Sequence, residues 1–129
     1  MISLKNELII KRCASCGAMV KVLEDCNCGN CGIKCCGEEM KAQLPNTVDA
    51  AVEKHLPVVE VNGNEIVVVV PHVMEADHYI EWIALETENS LCKKFLKPGE
   101  EARVTFPYKP GSVVYGYCNL HGLWSTEVK

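Results

Sequence analysis

The chain has 129 residues, enough for one ordinary domain or for a small module joined to a compact one. Hydrophobic residues make up 48% and charged residues 23%, which argues against a disordered polar chain. The net charge of −4 lacks the basic footprint of a nucleic-acid binder. No early run has the basic flank, apolar core and small-residue cleavage site of a signal peptide. The longest apolar candidate, Ile66 to Pro71, is far too short for a membrane helix, so a cytoplasmic protein with no membrane partner is expected.

The first segment, residues 1–44, is too short for an independent hydrophobic core and belongs to the size range that needs a metal, disulfides or a partner. It carries seven of the nine cysteines, from Cys13 to Cys36. An odd total without a leader points to thiolate–metal ligation rather than a disulfide framework. Cys13-Ala14-Ser15-Cys16-Gly17 forms one knuckle, flanked by short strands over Leu8-Ile9-Ile10 and Met19 to Leu23. Two second pairs compete: Cys28 with Cys31, which repeats the knuckle, and the vicinal Cys35-Cys36. Local chemistry favours the repeated knuckle, because adjacent cysteines constrain the angle between their sulfurs. Cys26 is then a spare ligand or a free thiol. Four thiolates suit Fe or Zn equally.

A changeover follows at Leu44-Pro45-Asn46-Thr47. Asn46 or Thr47 is positioned to cap a helical turn over Val48 to Lys54, which Pro57 ends, leaving His55 on the loop before the first long strand. From Val58 the pattern is β. Val58 to Val61, Asn62-Gly63 and Glu65 to Val70 read as a hairpin with a two-residue turn. Further strands are expected over Tyr79 to Leu85, Arg103 to Tyr108, Val113 to Tyr117 and Leu123 to Val128, with turns at Leu96 to Gly99 and Pro110-Gly111. Several short strands separated by turns indicate a sandwich or small barrel over residues 45–129.

All four histidines lie in this second part, at His55, His72, His78 and His121, and Cys118 sits in Cys118-Asn119-Leu120-His121-Gly122. A single such residue is ordinarily a half-buried polar group or core packing. Together they make a shell of four nitrogens and one sulfur, which suits Fe, Zn, Cu or Ni rather than Mg or Ca. Five donors exceed a tetrahedral structural zinc site and leave one octahedral position open. A thiolate opposite that position would push electron density onto the metal. Lys54 is placed to attract a small anion and Glu53 to move a proton or occupy the open position, although exposed Lys and Glu usually face solvent. Tyr79 and Trp82 are candidates for shielding the metal from water.

These segments together resemble the desulfoferrodoxins, the two-iron class of superoxide reductases, over nearly the full chain. The resemblance rests on Arg12-Cys13-Ala14-Ser15-Cys16-Gly17 and Cys35-Cys36-Gly37-Glu38-Glu39-Met40 in the desulforedoxin-like part. In the neelaredoxin-like part it rests on Asn46 to Ala51, Glu53-Lys54-His55, His72 through His78-Tyr79-Ile80, Phe95 to Gly99 and Cys118 to Gly122. It implies an all-β chain: a small metal-bound β module (1–44), then a seven-stranded immunoglobulin-like β-sandwich (45–129), as a homodimer. It also implies one iron on Cys13, Cys16, Cys35 and Cys36, reversing the local preference for Cys28 and Cys31. The second, catalytic iron would have His55, His72, His78 and His121 as equatorial ligands and Cys118 as axial ligand. The stretch between Cys16 and Cys35, with Cys26, Cys28 and Cys31, is longer than the usual family form.

The expected activity is one-electron reduction of superoxide to hydrogen peroxide without release of oxygen, with Lys54 steering the anion and Glu53 beside it. The expected electron donor is a rubredoxin-like protein. The alternatives are a non-catalytic iron electron-transfer or storage protein, and a zinc-stabilised binding module that would be colourless.

Overall fold

The computed structural model describes residues 8–24 and 32–129. Cys26, Cys28 and Cys31, and with them the repeated-knuckle reading, lie outside these residues. The chain is predominantly β, and its described residues fall into two compact units that divide between Leu44 and Pro45.

The smaller unit holds two short sheets. β1 (Ile10–Arg12) pairs antiparallel with β2 (Met19–Lys21) and with β5 (Lys41–Ala42). β3 (Lys34–Cys35) and β4 (Glu38–Glu39) form a hairpin. Leu8, Ile10, Cys13, Val22 and Met40 are its buried apolar residues. Among the described residues these are few against the chain entropy of ordering the unit, which accords with a metal-dependent fold.

The larger unit contains α1 (Val52–His55) and seven strands among the described residues: β6 (Val58–Asn62), β7 (Glu65–Val69), β8 (Ile80–Glu86), β9 (Leu91–Phe95), β10 (Arg103–Pro107), β11 (Val113–Cys118) and β12 (Gly122–Glu127). They form a three-stranded sheet ordered β10-β7-β6 and a four-stranded sheet ordered β12-β11-β8-β9. Alternation puts Ile66 and Val68 of β7 and Val104 and Phe106 of β10 inward, where they meet Ile80, Ile83 and Leu85 of β8 and Val114 and Cys118 of β11 in one core.

The expected hairpin over β6 and β7 forms, but Asn62 pairs with Glu65, so the turn residues are Gly63 and Asn64. Gly63, with φ 65°, takes the positive-φ position that a two-residue loop demands. β9 was not anticipated. It is an edge strand with Cys92, Lys94 and Phe95 exposed, so it lacks the apolar alternation that marks a strand.

The expected helix over Val48 to Lys54 shrinks to α1, and His55 is its last residue rather than a loop residue. No side chain caps it. Asn46 takes a left-handed conformation (φ 60°) and docks on β12 instead. Its backbone N–H donates to Leu123 O (3.0 Å), its Nδ2 to Ser125 O (3.2 Å), and its Oδ1 accepts from Ser125 N–H (2.9 Å). At the other end of the segment, Thr126 Oγ1 donates to Pro57 O (2.7 Å). The stretch that carries His55 is thus tied to β12 on both sides.

Asn46→Ala removes two of these bonds and disfavours the left-handed backbone. It is expected to destabilise the larger unit by about 1–3 kcal/mol. Tryptophan fluorescence during urea unfolding reports this directly, since Trp82 and Trp124 both lie in that unit.

Candidate metal centres

The larger unit brings its five sequence-predicted donors to one place. The ligand atoms of His55, His72, His78, Cys118 and His121 all lie within 4.8 Å of one another. They come from three segments: α1, the β7–β8 loop and the β11–β12 turn. Gly116, two residues before Cys118 on the core face, lies against Val70 and Pro57, the residues leading to His72 and away from His55. A register shift then pairs Tyr117 with Trp82 but Cys118 with Ile80, so Glu81 is the extra residue of a bulge on β8.

The four imidazoles form a closed cycle. Ring centroids are 4.8 Å apart for His55–His72, 4.5 Å for His72–His78, 5.1 Å for His78–His121 and 4.9 Å for His121–His55, with interplanar angles of 68° to 89°. Cys118 Sγ, from a fully buried residue, lies 3.4 Å from His72 Nε2 and 3.8 Å from His121 Nδ1. Carbonyl oxygens only accept, so they fix two tautomers. His55 Nδ1–H donates to Ala51 O (2.7 Å) and His72 Nδ1–H donates to Val73 O, which leaves both Nε2 lone pairs inward. His55 Nε2 lies 3.1 Å from His121 Nδ1. Such outer bonds orient metal-binding histidines in proteins generally.

The donor set fits a cation. His78 Nε2 is buried with no hydrogen-bond partner, a cost that a metal bond would remove. Burial lowers the His72 pKa, against a raising contribution from Val73 O and with further lowering from the neighbouring imidazoles. Burial also lowers His121, helped by His55 and His78. Neutral imidazoles, the ligating form, are therefore favoured. Burial raises the Cys118 thiol, while the backbone N–H groups of Leu120 and His121 act the other way. His121 N–H donates to Cys118 Sγ at 3.3 Å.

Trp124 was missed by sequence reasoning. It stacks on His55 (5.1 Å, 23°), and its Nε1–H donates to His121 O (3.1 Å). Its only sequence signal is its place three residues after His121. Trp82, the expected shield, instead stacks on Tyr117 under the Lys93 ammonium. Glu53 and Lys54 are exposed on α1. Lys54 and His72 share the lining of an open cleft of about 350 Å³ with Met74 and Glu101.

In the smaller unit, the sulfurs of Cys13, Cys16, Cys35 and Cys36 form a second cluster. Cys16 Sγ is 3.6 Å from Cys35 Sγ, and Cys35 Sγ is 3.9 Å from Cys36 Sγ. A tetrahedral site with metal–sulfur bonds of about 2.3 Å has sulfurs roughly 3.8 Å apart, so the spacing suits one ion. Cys36 (φ 54°) and Gly37 (φ 76°) form the turn that lets vicinal cysteines share it. The Cys16 N–H near its sulfur is the main influence lowering Cys13 to about 7, whereas hydrogen bonding with Cys16 and Cys13 pushes Cys35 up to about 12. Such a cluster accommodates one thiolate readily and needs a cation to hold four.

The comparisons with known proteins agree with this geometry. The desulfoferrodoxin family model matches residues 47–127, more than half of the chain. The chain belongs to the desulfoferrodoxin family. It is 44% identical over 126 residues to the desulfoferrodoxin of Nitratidesulfovibrio vulgaris, covering 95% of this chain and 98% of that protein. It is 42% identical to the desulfoferrodoxin of Syntrophotalea carbinolica, with 95% and 98% covered. Among solved structures it is similar to the superoxide reductase from Treponema pallidum, with 35% identity, a TM-score of 0.70, and 94% of this chain and 99% of that chain covered.

Because burial keeps Cys118 protonated in the metal-free protein, metal binding at this centre must expel its proton. Loading metal-free protein with Zn²⁺, a redox-inert probe, at pH 7 is expected to release about one more proton for the natural chain than for Cys118→Ser. An indicator dye in weak buffer measures the difference.

Proposed function

We propose that the chain is a superoxide reductase whose catalytic centre is the cluster of His55, His72, His78, His121 and Cys118. The observation that carries this reading is the closed cycle of four imidazoles with one buried sulfur beside it. The four histidines would hold the iron through ring nitrogens and Cys118 through its sulfur. Ferrous iron, when bound, supplies the one electron and the open coordination position, and superoxide takes that electron and two protons to become hydrogen peroxide.

The protein's own residues do the rest. His55 and His72 are held by backbone carbonyls and Trp124, so their inward nitrogens need little reorganisation on metal binding. Cys118 contributes a thiolate whose electron density favours release of the product, tempered by the His121 N–H that donates to its sulfur. Lys54, exposed on α1 one residue before His55, attracts the substrate anion. Glu53 is the carboxylate assigned to the open side between turnovers.

The same reading takes residues 45–129 as a seven-stranded immunoglobulin-like β-sandwich and residues 1–44 as a desulforedoxin-like module with a second iron on Cys13, Cys16, Cys35 and Cys36. The two sheets sharing one core support the first assignment, and the four-sulfur cluster supports the second. Family membership supports a homodimer and a rubredoxin-like electron donor in the cytoplasm. No helix among the described residues is long and apolar enough to cross a membrane.

The reduced, iron-loaded protein mixed with superoxide is expected to yield one hydrogen peroxide per iron oxidised and no oxygen. Oxygen evolution, or no reaction at full loading, contradicts the assignment. Lys54→Ala is expected to lower the bimolecular rate several-fold at low ionic strength and to flatten its salt dependence, with iron retained. An unchanged rate and salt slope would remove Lys54 from the account.

A further inference from the structure

The five donors are not held alike. His55 and His72 are braced through their rings. His78 lies at the end of a tight turn in the β7–β8 loop, where Glu75 N–H donates to His78 O (2.9 Å) and His78 N–H to Glu75 O (3.2 Å). That turn fixes the loop on itself but not against Cys118. The inward nitrogen of His78 has no hydrogen bond to orient it. A link to the rest of the centre comes from Asn119.

Asn119 grips both peptides that flank His78. Its Nδ2 donates to Asp77 O (3.0 Å), and its Oδ1 accepts from Tyr79 N–H (3.0 Å). Its own backbone N–H donates to Tyr79 O (3.2 Å). One half-buried side chain thus satisfies a carbonyl and an amide on either side of one ligand, while its backbone follows directly from another, Cys118. A primary amide offers a donor and an acceptor side by side without charge. An ionised carboxylate only accepts, and a methyl group does neither.

We propose that Asn119 is a positioning residue that locks the His78 loop to Cys118 and so sets the geometry between the sulfur and one imidazole of the metal centre. The inference rests on the reading of this cluster as an iron centre. With the lock in place, the position of His78 Nε2 relative to Cys118 Sγ is fixed by three hydrogen bonds across two loops. Without the side-chain pair, the loop keeps its own turn but loses its register on β11. The ligand set is then unchanged and its geometry is not. The sulfur–iron interaction depends on that geometry, so the effect is electronic as well as structural.

The test uses full-length, iron-loaded protein and the variants Asn119→Ala and Asn119→Asp. Asn119→Asp keeps the acceptor for Tyr79 N–H but loses the donor to Asp77 O. The sulfur-to-iron charge-transfer band that Cys118→Ser removes, the midpoint potential of that centre and the rate at which its iron is lost to a chelator are measured, with thermal unfolding alongside. For Asn119→Ala the band and potential are expected to shift, and iron loss to accelerate about tenfold or more. Asn119→Asp is expected to fall between it and the natural chain, and alone carries the test if the alanine variant does not fold. Ser112→Ala, which removes the bond from its hydroxyl to Lys109 O at the opposite end of β11 from Cys118, is expected to lower thermal stability without moving the band. If both Asn119 variants keep the natural band, potential and iron-loss rate, the proposal is overturned. If the natural protein shows no such band when loaded with iron, the reading of the centre itself fails.

Discussion

The pairing of β11 with β8 is the constraint on which the rest of the larger unit depends. It is an interior pairing of the four-stranded sheet, and its last rung is shifted by one residue at Cys118. The shift turns Ile80 onto the core face with Ile83 and Leu85, opposite Cys118, just where the chain of β11 turns into Asn119 and His121. A regular ladder would pair Cys118 with Glu81 and draw the β11–β12 turn out of register with the His78 loop. Gly116 lies beside the shift, with Val70 and Pro57 packed over its core face. Histidines far apart in sequence arrive at one point where the backbone of β8 is bulged.

The energetics of the two centres follow from crowding. Four imidazoles and a thiol packed within a few ångströms offer many lone pairs and little to satisfy them. Burial disfavours charge on His72, His121 and Cys118. An orphaned His78 nitrogen adds to the cost. A cation answers these demands together, which explains why so polar a group can sit at the end of a hydrophobic core. The sulfur cluster is in the same position, since a lowered Cys13 beside a raised Cys35 describes thiols competing for one negative charge. The units differ in what else holds them. The larger one has a core drawn from two sheets, while the smaller has, among its described residues, a handful of buried apolar side chains beside its four-sulfur cluster.

Much of this was legible in the sequence because the signals were chemical or periodic. The β-branched run in Glu65 to Val69, the glycines at 63, 99 and 111, and the five donors near turns each have a direct physical meaning. What escaped was tertiary. Asn46 has the chemistry of a helix cap, yet β12 offers it three partners and the competition goes to the sheet. β9 is an edge strand whose exposed residues, Cys92, Lys94 and Phe95, follow no apolar alternation. Trp124 and Asn119 read as ordinary strand and turn residues until the fold brings His55, His121 and the His78 loop against them. Local spacing alone does not choose among seven thiols; among the described residues Cys13, Cys16, Cys35 and Cys36 have sulfur spacings suited to one tetrahedral ion, while Cys28 and Cys31 lie outside those residues.

The central claim is that five protein donors, four nitrogens and one sulfur, surround one iron and leave a single position open. X-ray absorption at the iron edge tests it most directly, on a chain with all seven cysteines from Cys13 to Cys36 replaced by serine, so that no sulfur-only centre competes for iron. The account predicts one sulfur and four imidazole nitrogens in the first coordination sphere, with room for one exogenous ligand such as azide. Two or more sulfurs, no sulfur, or fewer than four imidazoles would contradict it.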